Sequence, residues 1–257
     1  MTDRLTALIT GASAGLGKEF ARQLAAAGCN LILVARRVDR LQDSAAHFRE
    51  QFRGVEVLCI EADLSRAEAP EHIYTVVRDH GWQVDYLVNN AGAAGPDFFG
   101  HQPWADHLAY LRLMQTSVAE LCYRFIPAMV ERGFGRVINV SSVSGRMAAA
   151  NSCHYGPTKT YLIALSEALG LSVRARGVHV TALCPGFTHT DFHATAGLDE
   201  LKRSTPSLIW YSAGTVVREG LRAVEKGRLV YVSGRLYRWL DPLLQSVWTR
   251  WLFLRVD

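Results

Sequence analysis

Short apolar runs alternate with longer segments of helical periodicity along most of the chain. Six runs rich in apolar and β-branched residues predict strands at 5–10, 30–35, 55–60, 84–89, 136–141 and 178–183. Apolar positions that recur every three or four residues predict helices at 15–27, 38–52, 68–79 and 104–131, and from Tyr155 onward. The strands are apolar throughout, so both faces of their sheet are expected to be covered. This alternation predicts an α/β fold with right-handed crossovers and a doubly wound parallel sheet.

The composition is that of a soluble globular protein and narrows the functional classes. The formal net charge is +4 over 257 residues, without a dense block of Lys or Arg, so nucleic acid is not expected as a partner. The five cysteines are scattered without a C-x-x-C pair, which argues against a zinc site or a redox dithiol. We expect one domain, 1–257, in the cytoplasm, since neither a secretion signal nor an uncharged apolar run of about 18 residues is present.

The first predicted strand runs into a glycine-rich loop, T-G-A-S-A-G-L-G at 10–17. Glycines permit a tight turn and a close approach of the backbone to a phosphate, and the following helix offers free N–H groups to an anion. The position of this loop between the first strand and the first helix favours nucleotide binding over a plain turn. Its spacing, G-x-x-x-G-x-G, differs from the dinucleotide pattern G-x-G-x-x-G.

A second candidate site lies at the start of the helix that follows the fifth strand. Tyr155 and Lys159 are four residues apart and therefore share one helix face, and Pro157 suits the first turn of a helix. An adjacent ammonium favours the phenolate, so Lys159 is expected to lower the pKa of Tyr155 from its usual value of about 10. Such a tyrosine can exchange a proton with an alcohol or ketone oxygen. The same spacing is common in ordinary helices, so its meaning depends on the rest of the chain.

Taken in order, the motifs resemble those of the short-chain dehydrogenase/reductase family over about residues 5–190. The matching positions are 10–17, Asp63, N-N-A-G at 89–92, Ser142, Tyr155, Lys159 and C-P-G at 184–186. The resemblance implies an NAD(P)(H)-dependent oxidoreductase with a single-domain Rossmann fold of about seven strands in the order 3-2-1-4-5-6-7. The ligand crevice is then expected at the carboxyl ends of the strands.

The resemblance also implies a role for each site residue. Tyr155 is the general acid/base, Lys159 lowers its pKa and binds the nicotinamide ribose, and Ser142 orients and polarises the substrate oxygen. The neighbouring Ser141 and Ser144 are expected to be structural. The implied cofactor contacts, besides Tyr155 and Lys159, are Gly11, Ser13, Ala14, Gly15, Leu16, Gly17, Asp63, Leu64, Asn90, Ala91, Gly92, Pro185, Gly186, Thr188 and Thr190. No metal is expected, and the histidines and aspartate in H-T-D-F-H at 189–193 are interpreted as a polar lid hinge.

The end of the second predicted strand indicates which cofactor is used. An NAD-binding fold places an acidic residue there for the ribose 2′-hydroxyl. This strand ends in V-A-R-R at 34–37, and Asp39 lies too far into the helix. Arg36 and Arg37 could hold a 2′-phosphate or could simply be solvated. NADP(H) is therefore favoured over NAD(H), with Arg36 as the better candidate and Ser13 as its helper.

Apolar residues near the predicted crevice indicate a bulky apolar alcohol or ketone as substrate. Part of the wall follows the fourth strand and part lies in the lid segment, about 190–215. These residues are Phe98, Phe99, Trp104, Phe192, Leu198, Leu208, Ile209 and Trp210. Several of them could instead be ordinary core or interface residues.

One position departs from the family pattern. Many members carry an asparagine in the long fourth helix that holds a water in a proton relay to the lysine. Counting back from Ser142 and aligning 125–129 places Met114 there, and a thioether is only a weak acceptor. Ser117 would take that place if the helix were one turn out of register.

The last segment, about 235–257, predicts an amphipathic tail helix that Pro242 could break or restart. It could pack on the core, join subunits of a homodimer or homotetramer, or lie in a membrane interface, with packing or subunit contact favoured.

Two alternatives to an oxidoreductase remain. One is a nucleotide-binding regulatory or scaffold protein without turnover, and the other is an isomerase or epimerase on the same scaffold.

Overall fold

A parallel sheet forms the centre of the molecule. The computed structural model describes residues 4–150, 152–189 and 209–249. The strands are β1 (Thr6–Thr10), β2 (Asn30–Ala35), β3 (Val57–Glu61), β4 (Tyr86–Asn89), β5 (Gly135–Val140), β6 (Val178–Cys184), β7 (Thr188–His189), β8 (Tyr211–Ser212) and β9 (Val230–Val232). In these residues a seven-stranded sheet has the order β3-β2-β1-β4-β5-β6-β9, and β7 pairs with β8. The expected fold class and strand order are confirmed, with β9 as the seventh strand.

Helices cover both faces of the sheet. They are α1 (Gly15–Ala26), α2 (Val38–Gln51), α3 (Ala69–Asp79), α4 (Trp104–Leu111), α5 (Ser117–Arg132), α6 (Tyr155–Val173), α7 (Ala213–Glu225) and α8 (Arg235–Gln245). The core on one face joins α1, α2 and α7 to the sheet, and the core on the other joins α3, α5 and α6. Every residue of β1 and β2 is buried, which is why these strands lack polar alternation.

The long helix expected at 104–131 is not regular along its whole length. A π-helical turn, Arg112–Thr116, separates α4 from α5. The hydroxyls of Thr116 and Ser117 donate to the carbonyls of Arg112 and Leu113 at 3.3 and 2.9 Å. Such bonds to the preceding turn bend helices, and π-turns are frequent at functional sites. The long helix expected at 104–131 is therefore confirmed as a continuous helical stretch, with a π-helical turn inside it that the sequence pattern did not indicate.

The tail and lid segments are described in part. Helix α8 continues through Pro242 to Gln245, so the proline does not end it. Residues 209–215 of the expected lid form β8 and the start of α7; residues 190–208, like 250–257 of the tail, lie outside the described residues. In the described ranges, no helix combines the length and apolar character needed to cross a bilayer.

Candidate active site

Three expected catalytic residues meet beyond the carboxyl end of β5. Ser142 opens the short 3-10 turn Val143–Gly145, and Tyr155 is the first residue of α6. The hydroxyl of Ser142 hydrogen-bonds the phenol of Tyr155. The Nζ of Lys159 lies 5.5 Å from the centre of the Tyr155 ring and donates to the Val140 carbonyl at 2.9 Å. The fold therefore brings together residues that the sequence separates.

The electrostatics of this group correct one expectation. Burial raises the pKa of Tyr155, and the hydrogen bond with Ser142 opposes the increase without cancelling it. Burial also lowers the pKa of Lys159 to about 8, because the side chain is only 5% exposed. The expected net lowering of the Tyr155 pKa by Lys159 is thus wrong for this structure. Loss of hydration on burial is the larger of the two effects on the Tyr155 pKa.

Backbone contacts fix the position of Ser142. The Ser141 hydroxyl donates to the Lys159 carbonyl at 2.7 Å and so ties the end of β5 to α6. The amide of Ser144 donates to the Ser142 hydroxyl at 3.1 Å. The amide of Val143 donates to the Pro185 carbonyl at 3.0 Å, which joins this turn to the loop after β6. Ser141 thus contacts a backbone carbonyl through its hydroxyl, and Ser144 contributes its amide. In these contacts neither serine takes the place of Ser142 at the phenol of Tyr155.

The glycine loop and the N-N-A-G segment form one unit. The Thr10 hydroxyl accepts from the amides of Asn90 and Ala91, both at 3.0 Å, and the Asn90 side chain donates to the Thr10 carbonyl at 2.9 Å. A β-carbon at Gly17 would clash with the Gly11 carbonyl, so only glycine allows this close approach. Thr10 was not among the expected site residues, although its place at the strand end was visible in the sequence.

The start of α1 suits a diphosphate. Its N-cap, Ala14, provides no side-chain cap, and the first turn carries no acidic residue. The first amides and the positive end of the helix dipole are therefore available to an anion. The absence of a β-carbon at Gly17 keeps the loop close to this helix end. These residues fit the dinucleotide that the sequence motif implies.

A basic cavity of about 310 Å³ adjoins the glycine loop. Its lining comprises Ser13, Ala14, Gly15, Lys18, Arg40, Asp43 and Ser44. Nη2 of Arg37 donates to the Ser13 hydroxyl at 3.1 Å. Ser13, the expected helper at the 2′-phosphate, is thus contacted by Arg37, and the preference for Arg36 at that phosphate stays a prediction. Lys18 and Arg40 were missed, although each lies one helical turn from a residue that was named.

The charge of Arg36 affects Asp63, which lies in the turn after β3. Burial raises the pKa of Asp63, but hydrogen bonds from the Ser65 hydroxyl and amide and the charges of Arg36 and Arg66 outweigh it, so the net pKa is lowered. The Ser65 hydroxyl and amide donate to Oδ1 of Asp63 at 2.8 and 3.0 Å. Asp63 and the adjacent Leu64 therefore lie in a turn after β3 that hydrogen bonds hold in place and that is close enough to Arg36 for its charge to act.

The loop after β6 lies opposite the Ser142 turn. Thr188 is buried, and its hydroxyl donates to the Gly186 carbonyl at 3.0 Å. The Phe187 ring stacks on Trp210, with centroids 5.1 Å apart. Of the expected contacts in this region, Pro185, Gly186 and Thr188 are described, whereas Thr190 lies outside the described residues. Phe192, Leu198 and Leu208 also lie outside them.

Comparisons with known proteins identify the chain. A family model described as short chain dehydrogenase matches residues 5–201. The chain belongs to the short-chain dehydrogenase/reductase family. A very-long-chain 3-oxoacyl-CoA reductase of Macaca fascicularis is 30% identical over 254 residues, covering 97% of this chain and 77% of that protein. The family assignment makes the chain an oxidoreductase that acts on CH–OH or C=O groups.

Solved structures of the family resemble this chain over nearly its whole length. A short-chain dehydrogenase from Sphingobium yanoikuyae in complex with NADPH is 30% identical, with a TM-score of 0.82 and coverage of 98% of this chain and 96% of that one. A bulky-bulky ketone specific alcohol dehydrogenase from Comamonas testosteroni is 26% identical, with a TM-score of 0.79 and coverage of 100% and 96%. Both similarities extend beyond the family-model match into the C-terminal segment.

The candidate relay position of this family member lies in the π-helical turn within the long helix. Met114 lies in the π-helical turn and is 1% exposed. A β-carbon at Gly92 would lie 3.3 Å from Sδ of Met114 and 3.8 Å from Nζ of Lys159. Ser117 instead turns its hydroxyl to the carbonyl of Leu113 in its own helix. The geometry favours Met114 over Ser117 at this position.

A buried histidine pair stands beside the catalytic group of this short-chain dehydrogenase/reductase. Nδ1 of His107 and Nε2 of His154 are 2.7 Å apart, and both side chains are buried. Trp104 stacks on His107, and the Phe98 ring lies 5.1 Å from His154. These contacts place two expected substrate-wall residues against the histidine pair, one member of which, His154, precedes Tyr155 in the chain. No pattern in the sequence indicates this pair, because its members are 47 positions apart.

A polar network in the core of this family member supports the strand ends. The Asn89 side chain donates to Oδ1 of Asn139 at 2.8 Å, and the Asn139 side chain donates to the Ser166 hydroxyl at 2.9 Å. Asn139 is fully buried near the carboxyl end of β5. A buried asparagine in an apolar strand must be hydrogen-bonded. The position of Asn139 in such a strand was therefore the sequence signal for this network.

Metal-ligating residues do not cluster in the described part of this family member. No group of three His, Cys, Asp or Glu side chains there is arranged to hold an ion. His189 is exposed in β7, and the aspartate and second histidine of the expected hinge lie outside the described residues.

Proposed function

We propose that this oxidoreductase is an NADP(H)-dependent ketone reductase, which interconverts bulky apolar ketones and secondary alcohols. The observation that carries the proposal is the contact of Ser142 with Tyr155 beside buried Lys159, at the sheet edge that also carries the glycine loop. Ligands of open α/β sheets bind at this edge, where neighbouring strand ends supply loops.

The proposed roles follow from the chemistry of each group. The raised pKa keeps the Tyr155 phenol protonated near neutral pH, so Tyr155 can donate a proton to a carbonyl oxygen. Ser142 orients that oxygen and stabilises negative charge on it. Lys159 is held by Val140 and supplies a buried positive charge next to the phenol. When bound, the nicotinamide supplies or accepts the hydride.

The proposed cofactor contacts surround the crevice. The glycine loop and the start of α1 would hold the diphosphate, and Asp63 and Asn90 would contribute further contacts with the cofactor. NADP(H) is favoured because no carboxylate stands at the end of β2, whereas Arg37, Lys18 and Arg40 surround the cavity near Ser13.

Aromatic side chains support an apolar substrate. Phe98, Phe99 and Trp104 are 51, 77 and 63% exposed, and the first and last contact the histidine pair beside Tyr155. Trp210 and Phe187 form a second aromatic stack across the loop after β6. Two similar proteins bear names that point the same way, one to bulky ketones and one to 3-oxoacyl thioesters.

Turnover tests the proposal directly. The purified chain is mixed with NADPH or NADH and a panel of apolar ketones and 3-oxoacyl thioesters, and loss of the reduced nicotinamide absorbance is followed. Tyr155→Phe is the matched control, because it keeps the ring and removes the exchangeable proton. We expect turnover by the wild type and none by the control, with NADPH binding retained.

Two outcomes would favour the alternatives. NADPH binding without turnover on any substrate would indicate a nucleotide-binding regulatory or scaffold protein. Product formation without net consumption of NADPH would indicate an isomerase or epimerase.

We also propose a homodimer or homotetramer. The outer face of α8 leaves Leu236, Trp239, Leu240 and Leu243 exposed, which suits a subunit contact. Light scattering gives the molar mass, and a monomer at assay concentration would contradict this part of the proposal.

A further inference from the structure

Helix α8 presents three polar side chains, four residues apart, to the catalytic region. They are Tyr237, Asp241 and Gln245, and they share one helix face. None of them belongs to the catalytic or cofactor-binding set. Each contacts a loop that carries a residue of that set.

The central contact is a two-pronged ion pair between Asp241 and Arg146. Nε and Nη2 of Arg146 donate to the two carboxylate oxygens, each at 2.7 Å. The side chains are 18 and 19% exposed, so the pair is shielded from most of the solvent. One turn later, the Gln245 side chain donates to the Arg146 carbonyl. Helix α8 therefore holds both the side chain and the backbone of Arg146.

Arg146 closes the turn that Ser142 opens. The amide of Arg146 donates to the Val143 carbonyl at 2.9 Å, and the amide of Gly145 donates to the Ser142 carbonyl at 3.0 Å. The turn is only a few residues long, so a displacement of Arg146 moves the Ser142 hydroxyl. That hydroxyl is the group in contact with Tyr155.

Tyr237 connects α8 to the loop after β6. Its hydroxyl accepts from the Phe187 amide at 3.3 Å and donates to the Ile209 carbonyl at 3.1 Å. Its ring fills the space that a β-carbon at Gly186 would need, which explains the glycine there. One helix face thus contacts the loops on both sides of the proposed crevice.

A separate ion pair attaches α8 to the body of the protein. Arg238 pairs with Glu219 of α7 at 3.2 Å, and the same carboxylate accepts from the Gly234 amide at 3.1 Å. This attachment touches neither the Ser142 turn nor the loop after β6. Loss of the Glu219 charge therefore provides a control for general loosening of α8.

We propose that Tyr237, Asp241 and Gln245 are positioning residues, and that Asp241 sets the place of the Ser142 hydroxyl through Arg146. The inference rests on the proposed function, because its kinetic consequence is a lower turnover number. It adds α8 to the elements that determine the geometry of the reaction.

The test compares Asp241→Asn with Glu219→Gln, two carboxylate-to-amide changes at α8 ion pairs. Asp241→Asn is expected to lower kcat about tenfold, since small misplacements of reacting groups have large effects on rate, and to leave NADPH affinity within about twofold. Glu219→Gln is expected to lower Tm while kcat stays near the wild-type value. Asp241→Glu, which keeps the charge, is expected to recover part of the lost rate.

Amide hydrogen exchange in the cofactor-free protein gives a second readout. The amides of residues 144–146 are expected to exchange faster in Asp241→Asn than in Glu219→Gln. Should Asp241→Asn fail to fold, Gln245→Ala removes the contact with the Arg146 carbonyl and serves in its place. Equal exchange in the two variants, or equal kcat losses, would refute the positioning role. A wild type that reduces no substrate would refute the proposed function, and the exchange comparison would still decide on the positioning role.

Discussion

The contact between Arg37 and Ser13 leads to a sharp prediction for cofactor preference. Arg37→Ala removes a guanidinium that lies 3.1 Å from the Ser13 hydroxyl at the edge of the basic cavity. Arg36→Ala is the matched variant, because Arg36 is the adjacent arginine and its charge acts on Asp63 instead. The two substitutions remove the same charge and differ in position.

The expected magnitude follows from the exposure of the site. Hydrogen bonds to charged groups contribute about 1.5–3 kcal/mol, and exposed pairs fall at the low end because water and salt screen them. Arg37 is exposed, so we expect a loss of about 1.5 kcal/mol in NADPH binding, which is roughly tenfold in Kd. NADH has no 2′-phosphate, and its Kd is expected to change less than about twofold.

Titration calorimetry with NADPH and NADH on both variants measures these values. The difference between Arg37→Ala and wild type should shrink at about 1 M salt, where the screening length is near 3 Å. A larger NADPH loss in Arg36→Ala would restore the sequence-based assignment. Equal losses for the two cofactors in both variants would show that neither arginine reads the phosphate.

Three further predictions concern the relay position, the buried ammonium and the exposed face of α8. Met114→Asn should fold normally and change the pH–rate profile more than NADPH affinity; an unchanged profile, with Ser117→Ala abolishing turnover, would mean that Met114 is not at the relay. Lys159 has a folded-state pKa of about 8 against 10.5 when free, so its burial costs about 3 kcal/mol below pH 8, and this cost disappears as pH rises through 8 to 10.5. Lys159→Met should therefore raise Tm at pH 7 and lose that gain near pH 10 in thermal melts; an identical gain at both pH values would contradict the burial argument. Trp239→Ser should lower the oligomer mass in light scattering without altering flotation with anionic liposomes, whereas lost flotation at unchanged mass would assign this face to a membrane surface.

The sequence predicted the fold because its strands carry a strong signal. Runs such as 30–35 are apolar at every position, and the structure buries all six residues of β2. Turn motifs after successive strands then identified one sheet edge as the site. The π-helical turn escaped prediction because it depends on how the Thr116 and Ser117 hydroxyls bond to the preceding turn. The spacing of apolar residues along the chain carries no information on such hydrogen bonds.

Side-chain pairing was less predictable than the backbone. The sequence named Arg36 and Arg37 as candidates for the 2′-phosphate and preferred the first, but it could not show that the guanidinium of Arg37 contacts Ser13. It predicted a lowered pKa for Tyr155, because the spacing shows the ammonium of Lys159 but does not show the burial that raises the pKa of the phenol. Polar contacts between distant segments, such as that of His107 with His154, do not affect the periodicity of apolar residues and so cannot be predicted from it.

The ion pair between Arg146 and Asp241 also has a consequence for synthesis on the ribosome. The two residues are 95 positions apart, and the strands up to β6 precede the second one. Domains form from the N-terminus as the chain emerges, so most of the sheet can assemble before Asp241 leaves the exit tunnel. The turn at Ser142 is then secured only when α8 arrives. A nascent chain stalled before α8 should therefore contain a nearly complete sheet in which the Ser142 turn is not yet held in place.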